Sequence, residues 1–137
     1  GLDWDADGNL YVSSFGNKHI RKFDRNGKDM GLFISTDVAG PTDIAFAENG
    51  ELLVNDWKAG LVLRFSKEGT FLWPFASGVS QAEGLTTLPN GNILIGNGAG
   101  SSVKEYEPTG RFVRDLVSKK AGGLSQPNAV TVRVIPK

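Results

Sequence analysis

Three aspartates stand at alternate positions near the beginning of the chain. Asp3, Asp5 and Asp7 precede Gly8, and carboxylates at this spacing are typical of the start of a calcium-binding loop. Such a loop also needs a bidentate glutamate at its twelfth position, where this sequence has Ser14. The competing interpretation is a tight turn between two strands, because an Asp-Gly or Asn-Gly pair favours the backbone angles of a hairpin.

The composition limits the other kinds of chemistry that the chain could carry. Its 137 residues include one histidine and no cysteine, which excludes a thiolate nucleophile and cysteine-ligated zinc. A serine-histidine-aspartate arrangement would depend on His19 alone. The 15 basic and 15 acidic residues balance, so the broad attraction that nucleic acid or an acidic membrane surface requires is missing. We therefore expect neither nucleic acid nor a membrane as a partner.

The elements that position these residues follow from an internal repeat. Three segments, beginning with GLDWDADGNLYV, DIAFAENGELLV and GLTTLPNGNILI, align without a gap. Gly8 recurs as Gly50 and Gly91, at intervals of 42 and 41 residues. In the second and third segments, the places of the N-terminal aspartates are held by Ala45, Ala47 and Asn49, and by Thr86, Leu88 and Asn90. Because only the turn is common to all three, the repeat favours the hairpin over a calcium site.

Each repeat predicts four short strands. The predicted strands are 2–4, 10–12, 20–23 and 30–33 in the first repeat, 44–46, 52–54, 62–65 and 71–75 in the second, and 85–87, 93–95, 103–106 and 112–116 in the third. Four strands in a unit of about 42 residues, with turns at regular spacing, is the pattern of a β-propeller blade.

We therefore predict an all-β propeller fold. Three four-stranded blades are expected at residues 1–41, 42–82 and 83–126, followed by the first, innermost strand of a further blade at 127–135. Propellers close with about four to eight blades, so three blades leave two apolar faces open. The chain is expected to be part of a ring of about six blades. Further blades of the same parent chain, or self-association, would complete it.

The repeats carry a pattern that extends over nearly the whole chain. The second repeat shows it at Pro41, Ile44, Ala45, Gly50, Leu52, Val54, Asp56, Arg64, Phe65 and Gly69. These positions resemble the NHL-type propeller repeat, whose pattern is similar to P-x-G-I-A-x-x-x-x-G-N-L-Y-V-x-D-x-x-N-x-R-I-x-x-F-x-x-x-G. The third repeat departs from it at Gly96-Asn97-Gly98 and at Glu105. The final GGLSQPNAVTV resembles propellers of secreted bacterial proteins, which implies an extracellular or periplasmic location.

One face of the predicted propeller gathers polar and aromatic residues. The connections into each first strand share this face with the loops between second and third strands. Thr42, Glu83 and Asn128 hold equivalent places at the innermost strands and should point toward the axial mouth. The second-to-third loops are predicted to add Phe15, Asn55, Asp56, Trp57 and Asn97.

The aromatic residues of this face favour a binding or scaffolding module. Phe15 and Trp57 offer flat apolar surfaces beside polar side chains, a combination suited to a protein, a peptide or a glycan. In the alternative interpretation, both rings only wedge between blades. On the binding interpretation, we expect no enzymatic activity and no cofactor.

A second functional interpretation comes from another resemblance. Glu83 in A-E-G and Asn128 in P-N-A are similar to metal ligands of the gluconolactonase family, six-bladed propellers with a divalent metal at the axial mouth. The resemblance implies a lactonase or other hydrolase in which Ca²⁺, or another hard cation, polarises a lactone carbonyl and activates water. The equivalent Thr42 is a poor ligand, so this remains the alternative.

Overall fold

The structure is a computed structural model that describes residues 1–135. Within them it contains twelve strands: β1 (Leu2–Trp4), β2 (Leu10–Ser14), β3 (His19–Phe23), β4 (Asp29–Ile34), β5 (Pro41–Phe46), β6 (Leu52–Asp56), β7 (Leu61–Phe65), β8 (Phe71–Ser77), β9 (Ala82–Thr87), β10 (Ile93–Asn97), β11 (Ser102–Tyr106) and β12 (Phe112–Val117). One 3-10 turn spans Ala121–Gly123. No helix in the described part of the chain is long and apolar enough to cross a membrane.

The strands form three antiparallel sheets of four, each built from consecutive strands. We call them blade 1 (β1 to β4), blade 2 (β5 to β8) and blade 3 (β9 to β12). In every blade the strands lie in chain order, so β1, β5 and β9 each pair along one edge only. The predicted all-β class and the three four-stranded sheets are confirmed.

Apolar side chains hold neighbouring blades together. One cluster joins blade 1 to blade 2 and contains Tyr11, Ile20, Ile34, Ile44, Leu52, Val54, Leu63 and Phe65. A second joins blade 2 to blade 3 and contains Ala45, Leu53, Val62, Phe75, Ala76, Val79, Ala82, Leu85, Ile93, Ile95 and Tyr106. Blade 2 is covered on both faces, and every residue of β6 is buried.

The face of blade 1 that points away from blade 2 carries exposed apolar side chains. Leu2 is 51% exposed and Trp4 is 54% exposed. Their equivalents in blade 2 are Ile44, which is buried, and Phe46, which packs against the cluster between blades 1 and 2. By this equivalence, the exposed face of blade 1 has the composition of a surface that a preceding blade covers.

One predicted strand is not observed. Residues 127–135, expected to form the first strand of a further blade, join no sheet in the structure. A strand needs a hydrogen-bonded neighbour. The described residues provide no partner strand for this segment. The segment nevertheless lies against β9, because a Cβ atom placed on Gly84 would lie 2.7 Å from the backbone nitrogen of Val130.

A glycine in the turn between the third and fourth strands of a blade lies close to the preceding blade, and this contact occurs at both blade boundaries. Gly69, in the turn between β7 and β8, has a φ of +85°, and a Cβ atom there would lie 2.7 Å from the carbonyl oxygen of Phe33 in blade 1. Gly110 stands in the same relation to Phe75 of blade 2, at 2.6 Å. Gly27 is the equivalent residue of blade 1, and its Cβ would meet nothing within 4 Å. The turn is therefore sterically confined only where a preceding blade is present.

This difference predicts unequal effects of one substitution at equivalent positions. Gly27→Ala should lower the free energy of unfolding by about 1 kcal/mol, because alanine is strained at positive φ. Gly69→Ala should cost roughly 1–3 kcal/mol more, because the methyl group also collides with the neighbouring blade. Urea denaturation of the two variants measures the difference. Equal losses would contradict the close approach of the blades at Gly69.

Candidate functional site

A cleft of about 560 Å³ opens where the innermost strands begin. Its walls include Thr42 at the start of β5, Glu83 in β9 and Asn128 in the segment that lies against β9. The cleft thus brings together, from three successive repeats, the three residues that the sequence placed at the axial mouth. The remaining lining residues are Gly1, Ser13, Phe15, Pro41, Asp43 and Trp57.

The three mouth residues differ in how far their side chains are already engaged. The Thr42 hydroxyl donates a hydrogen bond to the carbonyl oxygen of Ala82 at 2.7 Å, which ties blade 2 to blade 3. Glu83 is half-buried and Asn128 is exposed. Within residues 1–135 neither of these two side chains makes a hydrogen bond, so both can still contact a ligand.

Asp43 is a cleft residue that the sequence prediction missed. Its carboxylate accepts hydrogen bonds from the backbone amides of Ile44, at 3.0 Å, and Leu85, at 2.9 Å. Burial raises the pKa of Asp43 above its ordinary value, and these two amide donors oppose the change only in part. The available signal was that Gly1, Gly84 and Ala129 hold the equivalent places, so an acidic residue stands out among small ones.

Phe15 and Trp57 form an aromatic corner in the wall of the cleft. Their ring centroids lie 6.2 Å apart and their planes meet at 82°. Phe15 follows β2 of blade 1 and Trp57 follows β6 of blade 2, so the pair also bridges two blades. Phe15 packs over Gly40, where a Cβ atom would lie 2.9 Å from the ring, yet 42% of it remains exposed. The rings therefore contact each other across the blade boundary and still face the cleft.

Sequence comparisons find no relative. No protein-family model matches the chain, and no curated protein does either. Solved structures do match. A chain in the crystal structure of a nidogen/laminin complex matches with a TM-score of 0.84 and 20% identity, over 94% of this chain and 50% of that one. A streptogramin B lyase matches with a TM-score of 0.73 and 22% identity, over 94% of this chain and 43% of that one. A gluconolactonase-like protein matches with a TM-score of 0.75 and 15% identity, over 93% of this chain and 49% of that one.

The chain has a β-propeller fold. It spans about half the length of these solved structures, which agrees with three blades of a larger ring. The predicted propeller is confirmed, and at 15–22% identity the likeness shows the fold alone.

The expectation that this propeller has no enzymatic activity was wrong as a conclusion from the sequence. The solved structures that share its fold include a streptogramin B lyase and a gluconolactonase-like protein as well as a protein complex. The propeller fold therefore does not exclude an enzymatic activity. The expectation followed from the binding interpretation, which does not by itself exclude catalysis.

Asp56 was predicted to contact a ligand, and the structure gives it another role. It is 1% exposed, and its carboxylate accepts hydrogen bonds from the amides of Ala39, at 2.6 Å, Gly40, at 3.0 Å, and Ala59, at 3.1 Å. These bonds fasten the connection into β5 and the loop after β6 to each other. The carboxylate holds the cleft wall in place and does not reach the cleft.

Asn55 and Asn97 are also buried, at 0% and 6% exposure, and neither lines the cleft. Asn55 donates to the carbonyl oxygen of Gly84 at 3.1 Å, and Asn97 lies 3.5 Å from the Ser102 hydroxyl. Asn55, Asp56 and Asn97 were predicted to lie in loops for one reason. The sequence ended the second strands at their apolar triplets, whereas β6 and β10 continue to Asp56 and Asn97. These residues therefore belong to strands and not to loops.

The alternative calcium site was tested against the side chains present. Residues 1–135 contain no group of three or more histidine, aspartate or glutamate side chains that could hold a metal ion. Glu83 and Asn128 would supply two oxygen donors, whereas both oxygens of Asp43 accept backbone amides. Ca²⁺ takes about six to eight oxygen ligands. The described residues by themselves supply too few free oxygen donors for a calcium centre.

The N-terminal aspartates are engaged within the protein. Asp5 accepts hydrogen bonds from the amides of Asp7, at 3.0 Å, and Asn9, at 2.9 Å, and from the Tyr11 hydroxyl at 3.0 Å. Asp3 accepts the amide of Phe46 at 2.8 Å, across the boundary to blade 2. Asp5 thus shapes the turn that the hairpin interpretation predicts, and Asp3 joins two blades, a role that the sequence did not indicate.

The role assigned to Asp56 predicts a large loss of stability on truncation. Asp56→Ala removes the acceptor of three amides in a buried site, and should lower the free energy of unfolding by about 3 kcal/mol or more. Ser14→Ala is the matched control, because Ser14 holds the equivalent place in blade 1 and is not buried. It should cost less than about 1 kcal/mol. Chemical denaturation measures both, and a neutral Asp56→Ala would contradict the assignment.

Proposed function

We propose that the propeller is a binding module whose axial cleft takes a protein, a peptide or a glycan. One observation carries this proposal: an exposed aromatic corner and two side chains without hydrogen bonds within residues 1–135, Glu83 and Asn128, face the same cleft. Aromatic rings supply contact area, and the uncommitted polar groups supply orientation. Ligand sites are typically lined by apolar and aromatic side chains, with a few polar groups that orient the ligand.

The size and setting of the cleft support the same proposal. Its volume of about 560 Å³ lies within the range of about 300–1,000 Å³ typical of ligand sites. Residues from all three blades and the segment after blade 3 form its walls, so the packing of the blades fixes their spacing. A protein partner is further supported by the nidogen/laminin complex among the structural matches. The repeat pattern supports an NHL-type propeller as the framework.

We also propose that a ring of about six blades contains this cleft. The chain covers 43–50% of the propellers described above, and blade 1 exposes Leu2 and Trp4 on the face that a preceding blade would cover. Further blades of the parent chain, or a second copy, would provide that cover. The particle mass of the intact protein in solution tests this. It should be at least about twice the 14.7 kDa of this chain, and a stable 14.7 kDa monomer would contradict the proposal.

Truncation of the aromatic corner tests the binding function. Peptide and glycan arrays probed with the full chain supply the ligands, and the affinity of each positive probe is then measured by titration. Trp57→Ala should weaken binding roughly tenfold to a hundredfold, the loss expected when an aromatic anchor is removed. Trp73→Ala is the matched control, because Trp73 is 51% exposed in β8 and lies outside the cleft. Equal effects of the two substitutions, or no probe that depends on Trp57, would contradict the proposal.

A further inference from the structure

The cleft continues along the axis into a second cavity. This deeper cavity has a volume of about 410 Å³ and lies between the innermost strands. Asp43 lines both spaces, and Asp3, Thr86 and Thr131 line only the deeper one. The mouth and the axial space therefore share one wall, and a ligand at the mouth experiences the charges of both.

The charges on this wall are predominantly negative. Asp3, Asp43 and Glu83 line the two cavities, whereas none of the described residues lining them is lysine, arginine or histidine. Two positive groups lie beside this wall: the amino group of Gly1, which donates to the Thr42 carbonyl oxygen at 2.7 Å, and the Lys58 ammonium group, which lies over the Phe15 ring. Concave walls of one sign of charge concentrate ligands of the opposite sign. The axial wall thus favours a cationic ligand.

The aromatic corner also favours a cationic ligand. The Lys58 ammonium group lies 5.0 Å from the centroid of the Phe15 ring, so one of the two rings already interacts with a cation of the protein. No lysine or arginine among residues 1–135 is placed in this way over Trp57. Tryptophan gives the strongest cation-π interaction of the aromatic residues, and its ring faces the cleft beside Glu83.

We propose that the cleft recognises a lysine or arginine side chain of a protein or peptide ligand. This inference rests on the proposed function and narrows its ligand class. The aliphatic stem of the side chain would pack against Phe15 and Trp57, and the cationic head would pair with Glu83. Asn128 can accept a further hydrogen bond from it. A neutral glycan could stack on the aromatic rings, but it would make no charge interaction with Glu83.

Peptides that differ only in charge test this inference. The probes are acetyl-Gly-Gly-Xaa-Gly-Gly-amide with lysine, arginine, Nε-acetyl-lysine or glutamate at the central position, titrated into the full chain. The lysine and arginine peptides should bind at least about tenfold more tightly than the acetyl-lysine peptide, a difference of about 1.4 kcal/mol. Added salt should weaken binding of the lysine and arginine peptides and leave that of the acetyl-lysine peptide unchanged.

Glu83→Gln keeps the shape of the side chain and removes its charge. It should reduce the preference for lysine over acetyl-lysine, because it removes the charge that pairs with the ligand and leaves Trp57 and Asp43 in place, and it should not lower the melting temperature. Glu68→Gln, at an exposed position in the turn between β7 and β8, is the matched control and should preserve the preference. Equal binding of the lysine and acetyl-lysine peptides, a preference unchanged in Glu83→Gln, or no binding of any peptide would overturn the inference.

The outcome also separates this inference from the function on which it rests. If neutral peptides or glycans bind in a Trp57-dependent way and the charged peptides gain nothing, the binding function stands and the cationic ligand is wrong. If no probe of any charge depends on Trp57, the binding function itself is wrong.

Discussion

The packing of each sheet against its neighbour is the constraint on which this structure depends. A four-stranded sheet of this length cannot bury an apolar face by itself, so each blade needs another blade beside it. Blade 2 shows the satisfied state, with all five residues of β6 buried between two clusters. The exposed Trp4 on blade 1 shows the same kind of face without its neighbour.

The innermost strands add a polar requirement to this apolar one. Because β5 and β9 pair along one edge only, the amides on their other edge need acceptors from elsewhere. Asp3 supplies one to Phe46 and Asp43 supplies one to Leu85, in each case across a blade boundary. The acidic character of the axis therefore has a structural origin. The carboxylates of Asp3 and Asp43 satisfy the inner edges, and a cationic ligand at the proposed site would make use of their charge together with that of Glu83.

The sequence was sufficient for features that the repeats share. Strand order, the turn glycines and the common location of Thr42, Glu83 and Asn128 followed from equivalence between repeats, because equivalent residues take equivalent places in each blade. The sequence was not sufficient to predict the role of a residue whose contacts lie far along the chain and occur in one repeat only. The bonds of Asp56 to Ala39 and Gly40 join residues 17 and 16 positions apart, and no local pattern shows them. Strand ends were missed for a related reason, since backbone pairing continued past the apolar residues that marked each strand.

The departure of the third repeat from the common pattern makes the mouth asymmetric. Phe15 and Trp57 follow β2 and β6, whereas Gly98 follows β10 and leaves no room for a side chain, since a Cβ atom there would lie 2.3 Å from the Gln81 carbonyl oxygen. Beyond Trp57, the surface is lined by Gln81, Gly98 and Gln126 in place of a third aromatic ring. One end of the mouth is thus aromatic and the other is polar. If the cleft takes a ligand as proposed, the apolar part of that ligand would lie against Phe15 and Trp57 and its polar part toward Gln81.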